Sequence, residues 1–291
     1  MRKEIHKYAT DNLVEEENCI TKEKILISVI IPVYFEEKII DFILSKYDYI
    51  RKKYPVEIIV SDGGSKDRTL EIAKYWADKV VQHTESRKQT ISEGRNKGAE
   101  IAEGDVLVFI NGDTYPADLD VFFKFIYDWA LRNNRYNSFD ALTCSVSIEP
   151  QLIKMKDKIF YALHNRYIKL LNIIGIGMGR GECQIVRKDL FQKVGGYDIS
   201  LAAGEDFDLF RRIRKITKIG YVSDLVVYEN PRRFRKYGYL KVIFSWLLNS
   251  IYVMIYGKSS SNYWEPVRLS LIHISEPTRL LSISYAVFCL K

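Results

Sequence analysis

Cysteine is scarce and unpatterned, with four in 291 residues, Cys19, Cys144, Cys183 and Cys289, no paired spacing and no C-x-x-C. This excludes a disulfide framework and a zinc ribbon and predicts free thiols. The four histidines, His6, His83, His164 and His273, stand singly and share no metal-ligand spacing with the cysteines. Residues 1–24 contain no apolar run, which argues against a secretory leader in this stretch. The longest mostly apolar stretch near the C-terminus, residues 242–257, is 16 residues long, short of the roughly 20 that a bilayer crossing takes. No G-x-G-x-x-G and no G-x-x-x-x-G-K-[ST] occurs, so neither a dinucleotide fingerprint nor a P-loop is present. Internal repeats and low-complexity linkers are also missing.

What remains is ordinary for a soluble globular protein, at 47% hydrophobic and 28% charged residues. A formal net charge of +7 is modest and accompanies no recognised nucleic-acid module, so no nucleic-acid partner is expected. The length allows two domains at about 150 residues each, or one large α/β domain. Residues 269–291 resemble the translation of a sequencing adapter running through an index into a primer. They are expected to be non-native and are set aside.

The first half alternates. Residues 25–34 (ILISVIIPVY) form a nearly continuous β-branched run that suits a strand covered on both faces. Helical patterning at 36–53, 67–77 and 91–103 separates further strands at 56–60, 79–82 and 105–110. Such alternation predicts one mostly parallel twisted sheet with helices on both faces. The second half breaks the pattern with helices at 117–132, 152–174 and 205–215, strands at 141–148 and near 183–187, one or two short strands at 219–227, and an apolar helix at 238–256. We read a polar lead (1–24), one α/β domain (25–235) with a nucleotide half (25–115) and an acceptor half (116–235), and a basic and apolar helical segment (236–268).

In open α/β sheets ligands bind beyond the carboxyl ends of the strands. The first strand delivers Pro32, Val33, Tyr34 and Glu36, an apolar and aromatic ledge with one carboxylate, suited to a nucleobase. The second delivers Asp62, and the fourth delivers Asn111, Gly112 and Asp113. Asp and Asn also serve as turn residues and helix caps, so it is their convergence that points to a site. With no glycine-rich phosphate loop, a pyrophosphate needs other neutralisation. A divalent cation, Mg2+ or Mn2+, on Asp113, together with basic residues such as Arg95 and Lys97, supplies it.

Four segments in order resemble the inverting GT-A glycosyltransferases of family 2: ISVIIPVYFEE, VEIIVSDGGSKDRTLEIA, GRNKGAEIAEGDVLVFINGDTYP and IVRKDLFQKVGGYDISLAAGEDFDLFRRIRK. The resemblance covers about residues 26–235 and implies a GT-A fold and a nucleotide-diphosphate sugar donor. It also implies a base-contacting Asp62, a metal-binding D-x-D at Asn111-Gly112-Asp113, and a Glu205-Asp206 pair. Asp206 is then the base that deprotonates the acceptor hydroxyl, with Glu205 orienting acceptor or base, and single displacement inverts the anomeric centre. Asn111 departs from the usual aspartate and adds no charge. Asn230-Pro231-Arg232-Arg233, expected on a loop after a strand, is similar to the basic segment by which relatives close over the diphosphate, and Arg233 is the favoured contact.

Residues 242–257, with Trp246, Tyr252 and Tyr256, are flanked by Arg232, Arg233, Arg235, Lys236, Lys241 and Lys258, and no acid occurs from 231 to 264. Basic flanks around an aromatic-rich helix suit a segment lying on an anionic membrane surface; a helix packed over the core fits equally. The first reading places the enzyme at the cytoplasmic face of a membrane, with a glycan or lipid-linked acceptor. Two alternatives stay open. A sugar-nucleotide nucleotidyltransferase is disfavoured because Tyr34-Phe35-Glu36-Glu37 contains no glycine, and a non-catalytic sugar-nucleotide or glycan binder rests on Asn111 alone.

Overall fold

The computed structural model describes residues 26–260 and Val267. The polar lead, the adapter-like tail, Cys19, Cys289, His6 and His273 lie outside the described residues. In chain order the elements are β1 (Ile27–Val33), α1 (Ile40–Arg51), β2 (Val56–Asp62), α2 (Thr69–Trp76), β3 (Lys79–Gln82), α3 (Ile91–Glu100), β4 (Val106–Ile110) and β5 (Thr114–Pro116). There follow α4 (Leu119–Ala130), β6 (Ala141–Ser147), α5 (Met155–Ile173), β7 (Cys183–Arg187), α6 (Lys188–Lys193), α7 (Glu205–Arg214), β8 (Ile219–Glu229), α8 (Arg232–Tyr237) and α9 (Tyr239–Tyr256).

The strands form one sheet in the order β3-β2-β1-β4-β7-β6-β8-β5. β3, β2, β1 and β4 pair in parallel, as the alternation predicts. The acceptor half is mixed. β7 runs antiparallel to β4 and β6, β5 antiparallel to β8, and only β6 with β8 is parallel. The region 219–227 is a single longer strand, continuous through Glu229. β5, with three residues, and α6 and α8, with six each, add elements too short for periodicity to reveal. Pro231 opens α8 as its N-cap, so the Pro-Arg-Arg run expected on a loop is a short helix; its lack of an N–H makes proline suit a helix start.

The apolar runs are continuous because both faces are covered. Val29 and Ile31 of β1 and Val106, Val108 and Ile110 of β4 pack with α1 and α4 around Tyr47, Phe123 and Trp129. Ile30, Leu107 and Phe109 point the other way onto α3, α6 and α7. Cys144 and Cys183 are free and buried.

Helix α3 sits unusually close to the sheet because Gly98 has no side chain: a Cβ there would lie 2.5 Å from Ile30 Cγ2. Gly98→Ala gains about 1 kcal/mol of helix propensity but overpacks at a cost of about 1–3 kcal/mol. Chemical denaturation should show a net loss for Gly98→Ala that shrinks in an Ile30→Ala background. A Gly98→Ala variant as stable as the parent would mean the helix can slide.

Candidate active site

β1, β2 and β4 are adjacent and parallel, so their carboxyl ends open on one edge. Phe35, a non-glycine residue at φ 55°, turns the chain there. Its N–H donates to Ser65 Oγ (2.9 Å) and that of Glu36 to Thr69 Oγ1 (2.8 Å). The strained turn is thereby tied to the β2–α2 loop, with Tyr34 half-buried beside it and Lys88 over the Tyr34 ring at 5.5 Å.

Asp62 is fully buried at the end of β2. Its Oδ2 accepts from the Gly64 and Ser65 N–H groups (3.1 and 3.0 Å), which is the turn-residue role. Its Oδ1 has no partner, and neither do Ser61 Oγ and Gln89 Nε2. A Cβ on Gly94 would lie 3.3 Å from Gln89 Oε1, 3.4 Å from Ser61 Oγ and 3.6 Å from Pro32 Cβ, so these groups gather beside the Pro32 ledge. Unsatisfied buried polar atoms are rare. Here they form a set of donors and acceptors of the kind a nucleobase edge pairs with; Ser61 and Gln89 were not marked by any sequence motif.

Arg95 has a different place from the one expected. It is 1% exposed, and Nη1 donates to Glu205 Oε1 (2.9 Å), while Nη2 donates to Asn111 Oδ1 (3.0 Å) and the Gly181 carbonyl (2.7 Å). Its guanidinium carbon lies 5.1 Å from the centroid of the Tyr197 ring. Arg95 is therefore an internal tie between strand ends, its two terminal nitrogens committed to protein acceptors. Its helix is started by a capping box, Thr90 Oγ1 accepting from Glu93 N–H and Glu93 answering Thr90 N–H. Burial works against the Arg95 charge, and Tyr197, Glu205 and Asp206 outweigh it. Asn111 faces Arg95, and Gly112 lets the turn pass close to β1, where a Cβ would meet Val33 Cγ1 at 2.9 Å.

Asp113 keeps an edge to solvent, at 18% side-chain exposure. Its Oδ2 lies 2.9 Å from Arg232 Nη2. The same guanidinium takes Glu36 in a two-pronged grip, at 2.9 and 2.7 Å. The arginine on the site carboxylates is thus Arg232; Arg233 is half-buried, and burial pulls its pKa down. Among the described residues no three His, Cys, Asp or Glu gather as a metal cage. The residues fit a hard cation nonetheless. Asp113 and Glu36 hold a positive group between them, and Mg2+ or Mn2+ commonly takes one or two carboxylates and completes its shell with phosphate oxygens and water.

Glu205 and Asp206 open α7, where the helix dipole favours acids. Glu205 is committed to Arg95, whereas Asp206 is half-buried, with Oδ1 accepting from the Phe207 N–H (2.8 Å). Burial and the neighbouring Glu205 push the Asp206 pKa up to about 7. Gly181 leaves room beside it, since a Cβ there would stand 3.3 Å from Asp206 Oδ2. A second buried arginine sits next along the chain. Arg180 bonds Glu182 (3.1 Å) and Asn165 Oδ1 (3.1 Å) and lies 3.6 Å from Glu229, which also accepts from the Tyr161 hydroxyl (2.6 Å). Burial and Glu182 push Glu229 well up, while Arg180 holds Glu182 down against its own burial. No motif pointed to this cluster, although Glu229 ends a strand as Asp62 does.

The family model described as Glycosyl transferase family 2 matches residues 28–195. The chain belongs to that family. Among curated relatives, glycosyltransferase AglE of Haloferax volcanii is 37% identical over 97 residues, 31% of each chain. The glucosyl-dolichyl phosphate glucuronosyltransferase of the same organism is 24% identical over 186 residues, 59% of this chain and 56% of its own. The chain thus spans from about a third to just over half of these relatives. Family 2 membership accords with the solved structures of similar fold. Staphylococcus aureus TarS 1-349 in complex with UDP-GlcNAc matches with a TM-score of 0.53 at 18% identity, over 86% of this chain and 69% of that one. The mannosyltransferase PcManGT of Pyrobaculum calidifontis, in complex with GDP-Man and Mn2+, matches at 0.52 and 19% identity, over 70% and 56%. At such identities the likeness shows the fold, GT-A.

Removing one partner of a buried ion pair typically costs about 3–5 kcal/mol. Arg95→Leu strands Glu205 and the Gly181 carbonyl, and its unfolding midpoint should fall sharply. Arg95→Leu with Glu205→Leu should recover part of the loss. Equal stability of Arg95→Leu and the parent would show that the tie carries no load.

Proposed function

We propose that this glycosyltransferase moves a sugar from a nucleotide-diphosphate sugar to an acceptor hydroxyl with inversion, Asp206 acting as base. The observation that carries the reading is the placement of Asp206 at the start of α7, beside Gly181 and the Arg95–Glu205 pair, where burial and Glu205 push its pKa up to about 7. A base poised near the working pH is what proton abstraction from a hydroxyl needs. Glu205 contributes indirectly, by fixing Arg95 and by raising the Asp206 pKa. The base of the donor lies on Pro32 and Tyr34 with its edge toward Asp62, Ser61 and Gln89. Asp113 and Glu36 face the diphosphate, with Asn111 and Gly112 shaping the turn. Arg232 and Arg233 supply bidentate phosphate contacts. A bound Mg2+ or Mn2+ on Asp113 takes up charge developing on the leaving diphosphate.

The names of similar proteins support the acceptor class. One is a glucosyl-dolichyl phosphate glucuronosyltransferase, and TarS is a poly(ribitol-phosphate) β-N-acetylglucosaminyltransferase. A lipid-linked or polymer-borne glycan at the cytoplasmic side of a membrane fits both, and it fits the basic segment that follows the site.

A panel of labelled nucleotide sugars with Mn2+ separates transfer from hydrolysis or mere binding; binding without turnover of any donor would contradict the catalytic reading. Asp113→Ala should weaken nucleotide-diphosphate binding in Mn2+ and change little in EDTA. Asp206→Asn should lower transfer by about 10²-fold or more with donor affinity kept. Since burial and Glu205 disfavour the charged carboxylate, the same variant should melt no lower than the parent at pH 8. As the base must be deprotonated, kcat/KM should rise about tenfold per pH unit below about 7 and level off above it. A flat profile from pH 5 to 8 would remove Asp206 from the role.

A further inference from the structure

Helices α5 and α9 touch through aromatic side chains, and both leave an apolar line uncovered. α5 is anchored by Tyr161, Ile168 and Leu171, α9 by Val242, Asn249 and Val253. They meet where the rings of Phe160 and Tyr239 stand 4.6 Å apart and those of His164 and Trp246 stack at 5.4 Å. At about 100° per residue, the touching residues of each helix lie between its buried line and its exposed line. The two exposed lines therefore adjoin on the outer side. Leu163, Leu170 and Ile173 on α5 are 59%, 53% and 70% exposed, and Phe244, Leu247 and Ile251 on α9 are 62%, 48% and 36% exposed.

The exposed charges of the two helices have one sign. α5 exposes Lys156, Lys158, Arg166 and Lys169, and its one acid, Asp157, is buried under Arg235 and Tyr239. Lys236, Lys241 and Lys258 flank or begin α9, which contains no acid. Among the described residues α9 alone has the length and hydropathy to cross a membrane; Val242, Asn249 and Val253 are buried against the body of the protein, and the rest of the helix is not. A second copy of the chain packed on this face would bring lysines against lysines. An anionic lipid surface accepts both the apolar lines and the cations.

We propose that α5 and α9 together form one docking face for an anionic membrane surface. The proposal rests on the glycosyl-transfer reading only for its consequence. The exposed line of α5 runs through Ile173 and Ile174 into the segment ending at Gly181, beside Asp206, so a docked enzyme takes a lipid-anchored acceptor from the bilayer plane. What sets the proposal apart from a lone amphipathic α9 is the contribution of α5.

Flotation with phosphatidylcholine vesicles, with and without phosphatidylglycerol, tests it in the absence of donor and acceptor. The full chain should bind the anionic vesicles and release with salt. Leu163→Glu on α5 and Leu247→Glu on α9 should each lower partitioning by about tenfold or more, with thermal midpoints close to the parent, as exposed substitutions leave them. Binding that fails altogether, or that ignores lipid charge, or that Leu163→Glu leaves intact, overturns the two-helix face. A dimer in light scattering that Leu163→Glu splits, without vesicle binding, assigns the face to a second copy and also overturns it. Because no sugar is present, each of these results leaves the transfer reading to its own tests.

Discussion

Everything at the strand-end crevice depends on one buried cation, Arg95. Its guanidinium reaches the turn after β4 through Asn111, the segment before β7 through Gly181, and the start of α7 through Glu205. These pieces are far apart in sequence, and the one guanidinium joins all three. Burying an arginine is unfavourable unless its hydrogen-bonding groups are met, and three protein oxygens meet the two terminal nitrogens, while Nε stays without a partner. The tie has a chemical consequence. With Glu205 held beside it, Asp206 sits next to a like charge in a dry setting and keeps its proton up to about pH 7.

A second arginine sets the other side of the crevice. Arg232 joins Glu36 of the β1 turn to Asp113 of the β4 turn, so the two carboxylates are held together by a positive group that comes from the far end of the domain. Arg180 does the same for Glu182 and Glu229. Glu36, Asp113, Glu182 and Glu205 are thus paired with guanidinium groups, whereas Asp62 and Asp206 are not. That uneven balance suits chemistry in which one carboxyl exchanges a proton while the others stay put.

The parallel half of the fold was legible because its strands are buried on both faces and read as unbroken apolar runs, as ILISVIIPVY does. Asp62, Asn111, Asp113, Glu205 and Asp206 were legible as strand-end or helix-start residues in family-like order. The mixed pairing of β7 and β8 was not, because strand direction leaves no mark on a short apolar segment. Pro231 was read as a loop residue although proline followed seven residues later by Gly238 also brackets a helix. That Arg232 is the residue paired with Asp113 and Glu36 left no mark either, since one residue of helical rotation decides which side chain meets a carboxylate. Arg95 looked like a surface cation ready for phosphate because nothing local announces partners 16, 86 and 110 residues away.

The central claim is that Asp113 and Glu36 form a cation-and-diphosphate site for a sugar nucleotide facing Asp206. A crystal soaked with Mn2+ and a nucleoside diphosphate, measured at a wavelength where manganese scatters anomalously, tests it most directly. The account predicts an anomalous peak on the Asp113 carboxylate, the Arg232 guanidinium drawn from Asp113 toward the diphosphate, and Arg95 unmoved between Asn111, Gly181 and Glu205. A nucleotide bound elsewhere, or manganese absent from Asp113 with Arg232 still in place, would contradict it.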